Sequence, residues 1–343
     1  MTTHERELTA PVDLCTPDGR RLNPDARGWA ARSVHRANLR GGWGRTKRWD
    51  YQALLTDELA VSLVYADVDY LGIVAVWWAH LPSGRSGGRE LTVPFARGID
   101  LPDRYGTAPL TFRHHHLGVE VVDDRDGTQL LARWRERDGR LGRLDATIVQ
   151  PPGHGSVDVV IPWSERRFQY TSKHQARPVT GSFTVGDERY ELGADGQEAW
   201  GVLDIGRGRW PYRTRWNWGG GAGRSRDGRT IGLQVGGRWT EGTGATENGI
   251  IVDGRVVKLG DELTWTYRWD APLAPWRVHA ADGTLDVTLT PRFDRHARTE
   301  ALVLGTEVHQ VFGRWSGHVP GPDGARIEVA GLLGFAEESR SRW

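Results

Sequence analysis

The feature that most constrains the fold is the alternation of short apolar runs with glycine-centred turns. The segment LAVSLVY (Leu59 to Tyr65) is a short β-branched run, and LGVEVVDDRDGTQLLARW carries two such runs on either side of an Asp-Gly pair. The second pattern is typical of a strand, a tight turn and a returning strand. The sequence shows no apolar stripe at helical spacing sustained over three turns. It therefore predicts an all-β protein.

The number of predicted strands favours two barrels over one. We count about twenty runs at the spacing that indicates sandwiches or barrels, whereas about eight strands already fill a compact barrel. We predict two consecutive antiparallel, lipocalin-like β-barrels preceded by an irregular arm. The predicted boundaries are residues 1–46 for the arm, 47–172 for the first barrel and 173–343 for the second. Residues 168–183, which are polar and locally basic, are interpreted as the linker.

Charge and cysteine content argue against several classes of function. The chain has 45 basic and 44 acidic side chains, interleaved, for a net charge of +1, so we expect no nucleic-acid partner. The run from Leu71 to Leu81 is too short for a membrane-spanning helix, which argues against integral membrane association. The N-terminal residues lack a signal-peptide pattern, and Cys15 is the only cysteine. We therefore expect a cytoplasmic protein.

Tryptophan is unusually abundant, with 17 residues. Because indole is large, carries a polar N–H and is seldom fully buried, such a surplus suits a lined cavity or a stacking surface. Positive charge, in contrast, is almost entirely arginine, and lysine occurs only at Lys47, Lys173 and Lys258. Genomic base composition is the favoured explanation of an arginine bias, so the tryptophan content is the stronger indication of a binding cavity.

The densest glycine cluster, Gly219 to Gly223, does not match a phosphate-binding loop. A dinucleotide loop requires a helix after the glycines, whereas here the sequence RSRDGRTIGLQV predicts a turn and another strand. The Gly-Lys-Ser/Thr of a P-loop is also absent. We interpret these glycines as the flexible corner of a hairpin and predict no cofactor.

The strand before those glycines is the main candidate for a cavity wall. In RTRWNW, Trp216 and Trp218 fall on one face, and Arg215 and Asn217 fall on the other. Indoles with a polar anchor can hold and orient an apolar ligand, although both tryptophans can equally fill a barrel core. The predicted substrate-binding residues are Trp78, Arg207, Trp210, Trp216, Asn217, Trp218 and Asn248, together with the carboxylates Asp67 and Asp69.

Acid–base chemistry is assigned to two carboxylates. Glu247 enters the predicted strand in ATENGIIVDG, and Asp204 precedes the tryptophan-rich segment. If Glu247 faces the cavity, burial raises its pKa and suits it to proton transfer. A carboxylate at a strand start is also common as a simple turn residue. Asp67 and Asp69 are predicted to lie on one strand face, either as a carboxylate pair or as a solvated strand end.

The sequence RHHHLGVE suggests a weak metal site. His114 and His116 have the H-x-H spacing that places two imidazoles on one strand face, where they can bind zinc. A third ligand is not identifiable, and three adjacent histidines also occur as a surface cluster. We therefore predict no bound metal, with His114 and His116 as the weak candidates.

Several longer segments resemble those of a known sequence family. The segments DIGRGRWPYRTRWNWGGGAG, TENGIIVDGRVVKL and LDVTLTPRF, among others, resemble a bacterial family classed as a domain of unknown function, number 2804. The resemblance runs from about Leu14 to the C-terminus and supplies no activity. More distantly, the two-barrel layout is similar to the calycin-like group, which includes hydroxyneurosporene synthase, tocopherol cyclase and the decalin-forming Diels–Alderases. That similarity implies two lipocalin-like barrels and a hydrophobic substrate cavity, but transfers no catalytic residue.

Three functions fit these observations. The first is a cofactor-independent enzyme, of lyase or isomerase type, that hydrates, cyclises or isomerises a hydrophobic small molecule. The second is a binding protein for a lipid or another hydrophobic ligand. The third is a carbohydrate-active or carbohydrate-binding protein, because tryptophan platforms and paired carboxylates also suit sugars. A cavity carboxylate with a raised pKa favours the first over the second, and a closed apolar cavity favours the first over the third.

Overall fold

Strands account for nearly all the regular structure of the computed structural model, which describes residues 5–301 and 304–342. Within these ranges the helical structure is one 3-10 turn, Pro24–Ala26, so no described helix is long and apolar enough to cross a membrane. Residues 1–4, with which the predicted arm begins, lie outside the described residues. From Glu5 to Arg45 the chain is mostly irregular and includes three two-residue strands. These are β1 (Val12–Asp13), β2 (Trp29–Ala30) and β3 (His35–Arg36).

The first sheet contains the strands between Thr46 and Arg209, with β2 added at β12. Its strands are β4 (Thr46–Leu55), β5 (Leu59–Asp67), β6 (Leu71–His80), β7 (Arg85–Pro94), β8 (Leu110–His114), β9 (Leu117–Asp123), β10 (Gly127–Arg135), β11 (Leu141–Val149), β12 (Val157–Ser164), β13 (Arg167–Val185), β14 (Glu188–Leu192) and β15 (Trp200–Arg209). The main path is antiparallel in the order β7-β6-β5-β4-β15-β13-β11-β10-β9-β8. Strand β15 therefore returns to pair with β4, the first long strand.

The second sheet contains every described strand after Arg213. Its strands are β16 (Arg213–Arg224), β17 (Thr230–Gly237), β18 (Asn248–Val252), β19 (Arg255–Leu259), β20 (Thr264–Thr266), β21 (Trp276–His279), β22 (Asp286–Ala301), β23 (Leu304–Pro320) and β24 (Arg326–Arg342). They follow the order β19-β18-β17-β16-β24-β23-β22-β21-β20. The last strand, β24, thus lies between β16 and β23. It pairs with β23 from Arg326 to Arg342 and with β16 from Leu333 to Arg342.

The predicted fold class is confirmed: the chain forms two consecutive, curled antiparallel sheets. The predicted linker is wrong, because residues 167–185 form the single long strand β13, which joins two parts of the first sheet. Its polar side chains are buried by partners on both faces, which a polar sequence pattern does not reveal. The domain boundary at residue 173 stays a prediction, and the hydrogen-bonded sheets themselves change over between Arg209 and Arg213.

Each sheet has its own apolar core, and a third core lies between the sheets. Leu63, Val119 and Phe183 are buried in the first sheet, and Leu233 and Trp315 in the second. The core between the sheets combines Ala53, Leu55 and Val202 of the first sheet with Trp218, Phe312 and Phe335 of the second. Because the second sheet covers the outer face of β4–β6, those strands are buried on both faces. This explains why LGIVAVWWAH is continuously apolar.

The glycine cluster differs from the predicted hairpin corner. Gly219, Gly220 and Gly221 lie inside β16, with neighbours on both sides along the sheet. A Cβ on Gly220 would lie 2.5 Å from Gln175 Nε2, and one on Gly221 would lie 2.7 Å from Trp315 Cδ1. Glycine is therefore required at these positions because neighbouring groups pack closely against both faces of the strand. The chain does not turn there.

Candidate functional site

A cavity of about 240 Å³ lies between the two sheets, and both contribute to its lining. We call it the intersheet cavity. From the first sheet it is lined by Trp49, Tyr51, Val64, Ala66, Val68, Ile73, Thr171, Lys173 and Asp204; from the second sheet and its loops by Trp216, Trp218, Trp239, Glu247 and Glu337, with Trp210 between the sheets. The wall is mostly aromatic and aliphatic, and its few charged groups converge on one region. Such a composition is typical of small-molecule sites.

Strand alternation selects the residues that face the cavity. In β13, Thr171 and Lys173 line it, while His174 of the same strand is not part of the lining. In β16, Trp216 and Trp218 line it and the intervening Asn217 does not. This follows from the two-residue period of a strand. The predicted division of RTRWNW into two faces therefore agrees with the structure.

Five indoles form what we call the indole wall: Trp49, Trp210, Trp216, Trp218 and Trp239. Trp210 is the centre of this wall. It stacks on Trp239 with ring centroids 5.4 Å apart, and lies 5.6 Å from Trp49 and 5.8 Å from Trp216. Its Nε1 donates to Gln169 Oε1 over 2.7 Å, so its polar atom is satisfied without facing the cavity. The wall thus presents mainly ring surface to the cavity.

Lys173 is the charged centre of the cavity. Its Nζ lies 3.0 Å from Asp204 Oδ2, 3.3 Å from Glu247 Oε2 and 4.0 Å from the centroid of the Trp218 ring. Burial acts to lower the pKa of this amine, but the two carboxylates outweigh it and raise the pKa above its ordinary value. The side chain is therefore a buried ammonium held by two carboxylates and an indole face.

The two predicted catalytic carboxylates meet at this ammonium. Asp204 also accepts a hydrogen bond from Trp49 Nε1 (3.2 Å) and another from the Thr171 hydroxyl (3.1 Å). Glu247 accepts one from Trp239 Nε1 over 2.7 Å. Burial raises the pKa of Glu247, although the nearby Lys173 charge opposes the shift. Each carboxylate is therefore fixed by an indole N–H as well as by Lys173.

A third carboxyl group, Glu337 on β24, lines the same cavity. Its Oε1 accepts from Trp216 Nε1 (2.8 Å) and its Oε2 accepts from Gln310 Nε2 (2.9 Å). Burial raises the pKa of Glu337 to about 7, against the opposing effects of the Trp216 hydrogen bond and the Lys173 charge. This group is poised to exchange a proton near neutral pH.

Six of the nine predicted binding residues do not line the intersheet cavity, namely Asp67, Asp69, Trp78, Arg207, Asn217 and Asn248. Trp78 is in the core of the first sheet, where its Nε1 donates to Glu136 (2.6 Å). Arg207 pairs with Asp50 at 2.6 Å. Asn217 donates to the backbone of Glu337, and Asn248 accepts from the backbone of Gly236. These polar groups are buried in the sheets, and their observed partners are protein groups. Their substrate contact stays a prediction.

Two predicted arrangements differ from the structure. Asp67 ends β5, but Asp69 lies in the following turn with φ 70° and accepts from the Thr46 amide (2.9 Å), so the pair does not share a strand face. His114 ends β8, and residues 115–116 form the turn to β9. His114 and His116 therefore do not alternate along one strand, because the chain reverses between them.

The sequence pattern did not single out Lys173, Glu337, Trp49 or Trp239. Lys173 falls in the segment interpreted as a linker, and Glu337 sits in the charged-looking end FAEESRSR. One signal was available: all three lysines are buried in the structure, in a chain whose other basic residues are arginine. A compact ammonium is suited to a buried ion pair. The few lysines in the sequence were therefore a signal for such buried positions.

Comparisons with known proteins identify the sequence family of this chain. The family model described as "Domain of unknown function (DUF2804)" matches residues 5–343. No curated protein shows a significant match to the chain. Among solved structures, the chain is similar to kievitone hydratase from Nectria haematococca, with 11% identity, a TM-score of 0.49 and coverage of 88% of this chain and 89% of that chain. It is also similar to CghA with Sch210972, at 12% identity, TM-score 0.43 and coverage of 87% and 89% respectively. Because the family match spans nearly the whole chain, this protein belongs to the DUF2804 family.

Proposed function

We propose that this protein is an acid–base enzyme that acts on an apolar small molecule in the intersheet cavity. The observation that carries the proposal is Glu337, a buried carboxyl whose pKa is raised to about 7 beside an indole-lined space. A cavity that only stores a ligand has no need of a proton donor whose pKa matches neutral pH.

Glu337 is the proton donor or acceptor in this proposal. At neutral pH it is present in both protonation states, so it can protonate a substrate carbon or oxygen and can also remove a proton. Trp216 and Gln310 each donate a hydrogen bond to one of its two oxygens, which fixes the orientation of the carboxyl group. General acid–base catalysis by one positioned group contributes about 10²–10⁴-fold to a rate.

Lys173 supplies fixed positive charge in the same mechanism. An ammonium aimed at the cavity stabilises negative charge that develops on a substrate oxygen, and in a water-poor site such stabilisation is large. Asp204 and Glu247 belong to the catalytic group because they keep Lys173 charged and hold it in place. In this proposal the two carboxylates position the ammonium. The role in proton transfer that the sequence predicted for them is assigned to Glu337.

The indole wall selects the substrate. Its ring faces bury apolar groups, and they stabilise a developing carbocation through cation–π contact, worth about 0.5–2 kcal/mol for each contact. Hydration, proton-initiated cyclisation and double-bond isomerisation of an unsaturated apolar molecule each include a proton transfer to or from carbon, which Glu337 can carry out next to this surface. We therefore propose a reaction of this lyase or isomerase type on a hydrophobic, unsaturated substrate.

The test compares Glu337→Gln with wild-type protein and with Glu136→Gln as the matched control. Glu136 is also a buried carboxyl that accepts indole N–H groups, from Trp78 and Trp134 of the first sheet's core, but it does not line the intersheet cavity. Each protein is incubated with an organic-solvent extract of the source cells, and the extract is compared before and after by liquid chromatography and mass spectrometry. Bound molecules are recorded separately by native mass spectrometry.

We expect wild type and Glu136→Gln to convert one apolar component, and Glu337→Gln to bind it with at least a hundredfold lower turnover. Equal turnover in Glu337→Gln would contradict the assigned role. Binding of an apolar molecule by all three proteins, with no conversion by any, would instead establish a hydrophobic-ligand carrier.

A further inference from the structure

A second group of chemically active side chains lies on the long hairpin of β22 and β23, apart from the cavity. His296 and His309 are directly opposite each other across the two strands, and Glu307 is two residues before His309 on the same face. That face also carries Val311, which belongs to the core of the second sheet. Gln310, the partner of Glu337, points to the other face. This group is therefore separate from the proposed catalytic residues.

The three side chains are close enough to share one ion. One ligand atom from each of His296, Glu307 and His309 lies within 4.8 Å of the others. His296 Nε2 is 3.0 Å from Glu307 Oε1, close to the ~3.3 Å that separates two ligands of a tetrahedral zinc at 2.0–2.1 Å. The two imidazole rings stack in parallel, 4.2 Å apart. Binding requires a tilt of the rings that brings both nitrogens toward the carboxylate.

A neighbouring carboxylate already orients His309. Asp294 Oδ2 is 2.8 Å from His309 Nδ1, so this nitrogen carries the proton and leaves the lone pair on Nε2. A carboxylate behind a histidine is the usual support for a zinc-binding imidazole, because it fixes the tautomer and makes the ring more basic. The Trp269 ring packs edge-on against His309 at 4.5 Å and shields it from solvent.

The nearby arginines are directed to other acids. Arg298 pairs with Glu300 at 3.4 Å, and Arg340 pairs with Glu338 at 2.7 Å. Glu307 has the His296 imidazole as its ion-pair partner among the described pairs. Its negative charge is therefore available to a metal cation.

We propose that His296, Glu307 and His309 bind one Zn²⁺ per chain, with Asp294 as the supporting carboxylate. Two imidazoles and one carboxylate leave a fourth position for water or another ligand, as in zinc sites that are not closed by protein. Because His296 lies on β22 and both other ligands lie on β23, the bound ion would link these two strands. This group is distinct from the weak candidates His114 and His116 at the β8–β9 turn, whose metal binding is untested.

The experiment uses full-length, tag-free protein freed of metal by a chelator and titrated with ZnCl₂ by calorimetry. We expect one saturable site in the wild type. Glu307→Gln combined with His309→Gln should abolish that site, and Asp294→Asn, which leaves all three ligands, should weaken it about 10–100-fold. Zn²⁺ should raise the thermal midpoint of the wild type but not of the double variant. His114→Gln combined with His116→Gln is the matched control and should bind like the wild type.

Near-ultraviolet circular dichroism checks that each variant is folded. If the double variant unfolds, Glu307→Gln alone takes its place, because this partly exposed carboxylate is not part of a core, and at least tenfold weaker binding is then expected. No saturable Zn²⁺ binding by the wild type would overturn the proposal. So would binding that survives the ligand substitutions, or binding that is lost with the turn histidines.

Discussion

At the scale of single residues, the intersheet cavity shows how surroundings decide what a carboxyl group does. Glu337 and Glu338 are neighbours on β24, yet they face opposite sides. Burial raises the pKa of Glu337 to about 7, whereas Arg340, Arg215 and the Tyr267 hydroxyl offset burial at Glu338, so that the net shift of its pKa is downward. Sequence alone presents the two as equivalent acids in a charged tail. The difference comes from which side chains the other strands bring to each face.

Lys173 should be essential to the stability of the cavity as well as to its chemistry. Lys173→Met leaves Asp204 and Glu247 buried without their cation, which we expect to cost about 3–5 kcal/mol. Burial raises the pKa of Glu247 above its ordinary value, and without the opposing ammonium its folded-state pKa lies further above the unfolded value. The loss should therefore grow as pH rises, because the folded state can relieve it only by retaining protons. Urea unfolding at pH 5 and pH 8 measures the effect.

The control restores charge balance in the same cavity. Lys173→Met combined with Asp204→Asn and Glu247→Gln removes all three charges. It should recover most of the lost stability and remove the additional pH dependence that Lys173→Met introduces. A single Lys173→Met variant that unfolds like wild type at both pH values would show that the three groups are not coupled as the distances indicate.

At the scale of strands, the local patterns predicted where strands lie better than how they pack. The tight turn predicted within LGVEVVDDRDGTQLLARW lies between β9 and β10, as expected of a feature that depends on neighbouring residues only. The linker at 168–183 and the glycine corner were wrong. Polar residues in β13 and glycines in β16 are there because of partners distant in sequence.

Several strand positions are occupied by glycine because the ring of a tryptophan on the paired strand lies over them. Trp49 is opposite Gly206, Trp78 opposite Gly87 and Trp134 opposite Gly142 in the strand register. A Cβ on Gly206 would lie 2.1 Å from Trp49 Cε2, and one on Gly142 would lie 2.0 Å from Trp134 Cε2. Thus part of the high tryptophan and glycine content reflects cross-strand packing of an indole over a bare backbone.

Gly206→Ala should displace the Trp49 ring from the indole wall. The new methyl group has no space beneath the indole, so we expect a loss of about 1–3 kcal/mol in the free energy of unfolding and a change in tryptophan fluorescence. Gly118→Ala is the matched control, because its Cβ would meet its nearest neighbour, the Phe112 carbonyl oxygen, only at 4.0 Å. It should change stability by no more than about 0.5 kcal/mol. Similar effects for the two variants would contradict the packing that the strand register implies.

At the scale of the whole molecule, the cavity is a product of both sheets. The first sheet supplies Lys173, Asp204 and Trp49, and the chain beyond it supplies Trp216, Trp218, Glu247 and Glu337. The sequence predicted the fold class and several members of this set, since alternation and residue type are local properties. It did not predict which residues meet, because convergence depends on how two sheets of distant strands pack. Lys173 and Glu337 were missed for that reason.

The ionisation of Glu337 is the most direct test of the proposed acid–base function. Difference infrared spectroscopy of wild type against Glu337→Gln isolates the carboxyl C=O band of this one residue across a pH titration. The structure predicts a midpoint at about pH 7, so the band should be present at pH 5 and absent at pH 9. A midpoint near the ordinary value of 4.5 would mean that Glu337 is fully ionised at neutral pH and would contradict its role as the proton donor.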